Sequence, residues 1–205
     1  MKISVIAIFS MALFFGCGGE PPTGDLEAAN KALQDARAVG AEKFASSELN
    51  AAQSTYDAAQ TELNTQKEKL FKDFAKTKSL IADAKSKAER AKSAAESAKA
   101  QAKSAAESVI SAAAAALERA QAGLDGAPSG KGNEGDIEQL RAELGSANAD
   151  LSAARSSVAS ESFDAAKSSA AEATKKAAAI EEGVAAAAQK YADMVEKMRP
   201  WYERM

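Results

Sequence analysis

The stretch Ile81-Ala82-Asp83-Ala84-Lys85-Ser86-Lys87-Ala88-Glu89-Arg90-Ala91-Lys92-Ser93-Ala94-Ala95 decides the fold. Ile81, Ala84, Ala88, Ala91 and Ala95 recur at alternating spacings of three and four, with charged and small residues between them. A mean repeat of about 3.5 residues belongs to an α-helix that buries one stripe against a partner and supercoils left-handedly around it. The spacing extends back to Phe74 and Thr77 and forward through Ala98, Ala102, Ala105, Val109, Ala112 and Ala116. Alanine at nearly every seam position makes an alanine zipper. Helices approach closely there, but each layer contributes little, because alanine buries little area at about 25 cal/mol per Å2.

The pattern continues outward from this stretch. Before Phe74 it runs, with a small phase change, through Leu49, Ala52, Tyr56, Ala59, Leu63 and Leu70. A separate short stretch holds Leu26, Ala29, Leu33 and Ala36, and a break near 40–47 follows, with Ser46 or Ser47 as a natural N-cap. Glycines and a proline between 123 and 135 predict a loop. A second seam then runs through Ile137, Leu140, Leu144, Ala147, Leu151, Ala154 and Val158. After a break at 156–162 it resumes through Phe163, Ala166, Ala170, Ala173, Ala177, Ile180, Val184, Ala187, Tyr191, Met194 and Met198.

The expected fold is therefore all-α: an elongated antiparallel helical hairpin or coiled coil with an alanine-zipper seam and a short N-terminal helix. Its parts are a signal peptide over 1–16, a flexible tether over 17–24 and a helical arm over 25–122. A Gly-rich loop over 123–136, a return arm over 137–199 and an aromatic tail over 200–205 complete it. Helices over 47–122 and 137–198 would span about 114 Å and about 93 Å at 1.5 Å per residue. A parallel homotrimer satisfies the same heptads, and a weak internal repeat relates Ala36-Arg37 and Leu49-Asn50-Ala51-Ala52 to Ala154-Arg155 and Phe163-Asp164-Ala165-Ala166.

Composition narrows the chemistry. The chain has no histidine and one cysteine, which removes the commonest general base and any disulfide or thiolate cluster. With 26 basic and 29 acidic residues it carries no general bias toward nucleic acid. The charge is uneven: residues 67–103 hold 11 basic and 5 acidic residues, and the flanking segments are acidic. A basic middle pairing with an acidic return arm suits a hairpin, although surface pairs contribute at most about 1 kcal/mol each.

The N-terminus gives an address. Lys2 precedes an apolar run over 3–15, too short to cross a bilayer, which takes about 20 residues. The run ends Phe14-Phe15-Gly16-Cys17, which resembles a bacterial lipoprotein signal. Gly16 and Cys17 fit its small-Cys box, while Leu13 stands one place earlier than the usual leucine. The resemblance implies cleavage before Cys17 and acylation, palmitate included, at its thiol and amine. Two or more chains anchor stably, each buried methylene contributing about 0.8 kcal/mol. Gly18 stands where inner-membrane lipoproteins often carry aspartate, so the expected address is the outer membrane, on its periplasmic or surface face.

The stretch from Ala32 to Ala52, with Ala36-Arg37, Gly40-Ala41, Phe44-Ala45 and Glu48-Leu49, resembles the domain-of-unknown-function family 4398. That resemblance implies a helical module of envelope lipoproteins and supplies no catalytic residue. A looser likeness is to the alanine-zipper murein lipoproteins, but the chain ends Glu203-Arg204-Met205 rather than in their wall-linked lysine.

Three other features invite a chemical reading. Gly126-Ala127-Pro128-Ser129-Gly130-Lys131-Gly132 mimics a phosphate loop, but is one residue short of that spacing and puts glycine at the magnesium-binding position. It reads as an inter-helix turn. The basic run could meet wall polymer or lipid headgroups, yet its aromatics Phe71 and Phe74 read as buried, leaving a solvated helix face. Pro200-Trp201-Tyr202 between Arg199 and Arg204 suits either a membrane interface or a frayed helix end.

The expected function is structural. The chain reads as a coiled-coil spacer or scaffold in the bacterial envelope, with Cys17 as its lipidation site, no catalytic residue, no cofactor and no metal site. Expected partners are membrane lipid, a second copy or an envelope protein, and non-covalent peptidoglycan, with no nucleic acid. The alternatives are a surface-exposed binding protein or adhesin, and a helical stress-protectant.

Overall fold

The structure, a computed structural model, describes residues 20–130 and 132–200. Cys17 and the rest of the signal lie outside the described residues, as do Lys131 and the tail from Trp201 onward. The described chain is all-α, with six helices: α1 Thr23–Ala38, α2 Ala41–Phe44, α3 Ser46–Glu68, α4 Ala75–Asp125, α5 Glu134–Ala159 and α6 Phe163–Met198. It divides between Ala98 and Lys99 into two compact units, so the long α4 contributes its first part to one and its second part to the other.

The first unit is an up-down-up arrangement of α1, α3 and the start of α4. Antiparallel pairing of α1 with α3 is fixed by Asn30 Nδ2 donating to Tyr56 Oη at 3.1 Å and Arg37 donating to Gln53 Oε1 at 2.7 Å. Lys87 Nζ to Thr55 Oγ1 at 2.9 Å and Lys76 Nζ to Glu62 Oε2 at 2.8 Å set α4 antiparallel to α3. The core joins Ala29, Leu33 and Ala36 to Leu49, Ala52, Tyr56 and Ala59, and to the Ile81–Ala95 seam. Gly40 makes the reversal between α1 and α3 possible, at φ 91°, where a side chain is strained.

The second unit repeats the plan with the end of α4, α5 and α6. Lys176 to Asp150 at 2.6 Å and Lys190 to Asp136 at 2.8 Å hold α5 antiparallel to α6. Lys99 to Glu161, in the turn before α6, at 2.7 Å and Arg119 to Glu181 on α6 at 3.5 Å pair α4 in parallel with α6. Its core sets Leu117, Leu124, Leu140, Leu144, Leu151 and Ile180 among alanines from all three helices. Every heptad position from Ile137 to Ala154 and from Phe163 to Ile180 that the spacing marks is buried.

Several details differ from the sequence expectation. The helix expected over 47–122 is two helices, because the chain leaves the helix after Glu68 and re-enters at Ala75. The single hairpin thus becomes antiparallel helix pairs within each unit, and the alanine seams are covered by helices of the same chain. Ser46 and Ser47 are not N-caps: Ala45 holds that place at φ −149° and both serines enter the first turn of α3. Gly123 and Gly135 belong to helices, which confines the loop to 126–133. Thr23 and Gly24, expected in the tether, already belong to α1, where Leu26 N donates to Pro22 O. Met198, expected on the seam, is 68% exposed at the end of α6.

The seam itself shifts within α4. Ala84 to Ala95 are buried as expected, but Ala105 and Ala112 are exposed and Ala106 and Ala113 are buried in their place. A straight helix with 3.6 residues per turn drifts against a strict 3.5 repeat, and one extra four-residue step absorbs the drift. That step falls between Ala102 and Ala106, within the second unit.

Candidate functional site

Five residues separate Cys17 from Thr23, the first residue of α1. The tether is therefore shorter than its composition suggested, and Pro22 is already buried. From there α1 is built into the unit, with Ala29, Leu33 and Ala36 facing the core.

The end of the first unit that holds the start of α1 also holds the α3–α4 turn. Because α1 runs antiparallel to α3 and parallel to α4, its first turn lies beside the first turns of α4. Asp25 and Ala28 share one groove with Lys78, Ile81, Ala82 and Lys85. Gln66 organises the turn: it is buried, its Nε2 donates to Glu62 Oε1 at 2.7 Å, and its Oε1 accepts from Asp73 N at 3.3 Å. Asp73 Oδ1 accepts from Ala75 N at 2.9 Å, an Asx-turn that starts α4. Phe74 then drops into the core.

Between these fixtures, Leu70 is 90% exposed and Phe71 is 87% exposed. Both correct the sequence reading, which placed Leu70 on the seam and Phe71 in the interior. The cause is the helix break, which carries residues 69–73 off the buried stripe. Lys67, Lys69, Lys72, Lys76 and Lys78, all exposed, flank the pair in sequence. Glu62 faces them from α3. Hydrogen bonding from Gln66, then from Lys76, holds its carboxyl below the ordinary glutamate range. The signal available in the sequence was the phase change between Leu70 and Phe74.

Within the basic run, Lys85 and Lys87 bridge to Glu89 and Asp83 on their own helix, and Lys99 reaches Glu161 in the turn before α6.

The glycine loop closes the second unit. Asn133, the N-cap of α5, is 1% exposed, yet its side chain makes no cap bond. Its Oδ1 instead accepts from Gly130 N at 2.9 Å, while its Nδ2 donates to Pro128 O at 2.7 Å and Ala187 O at 3.1 Å. Gly132, at φ 111°, sits so tightly against Met194 that a Cβ would collide with its Sδ and Cε. Sequence reasoning overlooked Asn133, although an Asn just before the Ile137 seam is a helix-start signal.

Among the described residues no cluster of acidic or sulfur ligands is arranged to hold a metal, and no helix is long and apolar enough to cross a membrane. Comparison with protein-family models, with curated proteins and with solved structures returns no match for this chain.

Proposed function

We propose that this chain is a lipid-anchored structural protein of the bacterial envelope, which presents helical surfaces at a short distance from a membrane as a spacer or scaffold. The reading is supported chiefly by the connection between Cys17 and the fold. Only five residues intervene before a helix whose first turns are already packed, so an acylated Cys17 would hold the first unit close to the lipid. A long flexible stalk would instead let a binding module sample space far from the membrane.

The buried polar side chains serve closure and not chemistry. Gln66 binds the α3–α4 turn and Asn133 the α4–α5 loop. The exposed faces are charged helix surfaces of both signs, suited to association with envelope proteins or wall polymer through many weak contacts. The role is structural rather than enzymatic, and the address is the outer membrane.

Metabolic labelling with palmitate tests the anchor. The wild-type chain is expected to take up label and to stay with membranes through a high-salt wash, and Cys17→Ser to take up none and to be released by that wash. A wild-type chain that stays unlabelled and soluble would overturn the proposal.

A further inference from the structure

We propose that the α3–α4 turn is a second membrane contact, in which Leu70 and Phe71 insert into the interface of an anionic phospholipid bilayer while Lys67, Lys69 and Lys72 hold headgroup phosphates. The inference rests on the lipid anchor proposed above for its orientation, and on the turn's own geometry for its chemistry.

A chain extends at most about 3.6 Å per residue, so the five-residue connection keeps the start of α1 within about 20 Å of an acylated Cys17. The same end of the unit carries the turn, since Asp25 and Lys78 line one groove. The turn therefore faces the surface to which the anchor leads. Its tip exposes a leucine and a phenylalanine almost completely, side by side, while the aromatic three residues later is buried. Gln66 and the Asx-turn at Asp73 fix the backbone on either side, so the pair is held outward.

The flanking charge fits anionic lipid. Residues 67–78 carry five lysines against Glu68 and Asp73. Asp73 already accepts from the Ala75 amide, and Lys76 is engaged by Glu62. Glu20 and Asp25, before and within the first turn of α1, lower the positive field and do not cancel it. Aromatic and aliphatic side chains ringed by lysine are the composition of interfacial anchors, and each lysine near an anionic surface strengthens binding about fivefold.

The test uses the full lipidated chain carrying Phe71→Cys, nitroxide-labelled, in vesicles of phosphatidylethanolamine and phosphatidylglycerol. Acylation occupies Cys17, so the label is unique. Ser47→Cys, exposed at the opposite end of α3, is the control. The proposal expects collisions with oxygen to rise and collisions with a water-soluble nickel chelate to fall at 71 but not at 47. An equally aqueous label at both positions in a chain that floats with the vesicles would overturn the insertion and leave the turn as a protein contact. Flotation, read on the same sample, reports the anchor separately. If the chain does not float, the anchor fails, and unlipidated Cys17→Ser decides the turn. It should bind phosphatidylglycerol vesicles at low salt, with Phe71→Ser weakening binding roughly tenfold. No binding, or equal binding by both, would overturn the proposal.

Discussion

Asn133 on the loop before α5 donates to the backbone carbonyl of Ala187 on α6, at 3.1 Å and 54 positions away in sequence. One buried amide thus ties the only glycine-rich loop among the described residues to the helix passing beneath it, while ordering Pro128 and Gly130. Asn133→Ala leaves the Gly130 amide and two carbonyls without this partner and should cost about 1–3 kcal/mol in urea unfolding. Asn133→Asp should cost more at neutral pH, because a carboxylate faces the Pro128 and Ala187 carbonyls with no proton to donate. Equal stability of all three proteins would contradict this role.

The register of α4 is tested by a pair of neighbours. Ala106 is fully buried and Ala105 is exposed, the reverse of what an unbroken 3.5 repeat requires. Ala106→Leu should destabilise by about 1–3 kcal/mol through overpacking, and Ala105→Leu should stay within about 0.5 kcal/mol of wild type. Thermal melts of the two variants distinguish the registers, and the opposite ranking would restore the continuous seam.

Thr77 occupies the seam with a fully buried hydroxyl that has no hydrogen-bond partner among the described residues. Valine has the same shape without the polar atom. Thr77→Val is expected to raise stability by about 1 kcal/mol, the lower end of the cost of an unsatisfied buried group. A loss of stability in chemical denaturation would show that the hydroxyl is bonded in solution.

Acid should loosen the α3–α4 turn. The Glu62 carboxyl is held below its ordinary value first by Gln66 and then by Lys76. The folded form therefore prefers the carboxylate, and its contribution is complete above the unfolded value of about 4.3 and lost as pH falls through the lower folded value. Glu62→Gln should be less stable than wild type at pH 7, and the difference should shrink below pH about 4. A difference that stays constant with pH would remove Glu62 from the acid response.

Much of this fold was legible because leucine, isoleucine and phenylalanine mark a stripe unambiguously. Leu140, Leu144, Leu151, Phe163 and Ile180 are buried where their spacing puts them. The two short breaks also fall where the sequence changes, and each joins helices that pack as an antiparallel pair. Legibility failed where alanine filled the window. Ala105 and Ala106 are chemically identical, so only the geometry of a straight helix chooses between them. Leu70 failed differently: it kept heptad spacing through a stretch that Gln66 and Asp73 fold out of the helix by side-chain bonds to the backbone. The exposed pair at that turn was consequently hidden within an apparently regular seam. Asn133 was missed because its partner, a backbone carbonyl on α6, has no sequence signature.

The proposed function depends on Cys17 above all. The most direct measurement is the intact mass and N-terminal fragment spectrum of the chain purified from its own membranes. The account expects Cys17 as the first residue, carrying a diacylglyceryl group and an amide-linked acyl chain, with residues 1–16 absent. A chain that retains those residues, or is cleaved elsewhere with the Cys17 thiol free, would contradict it.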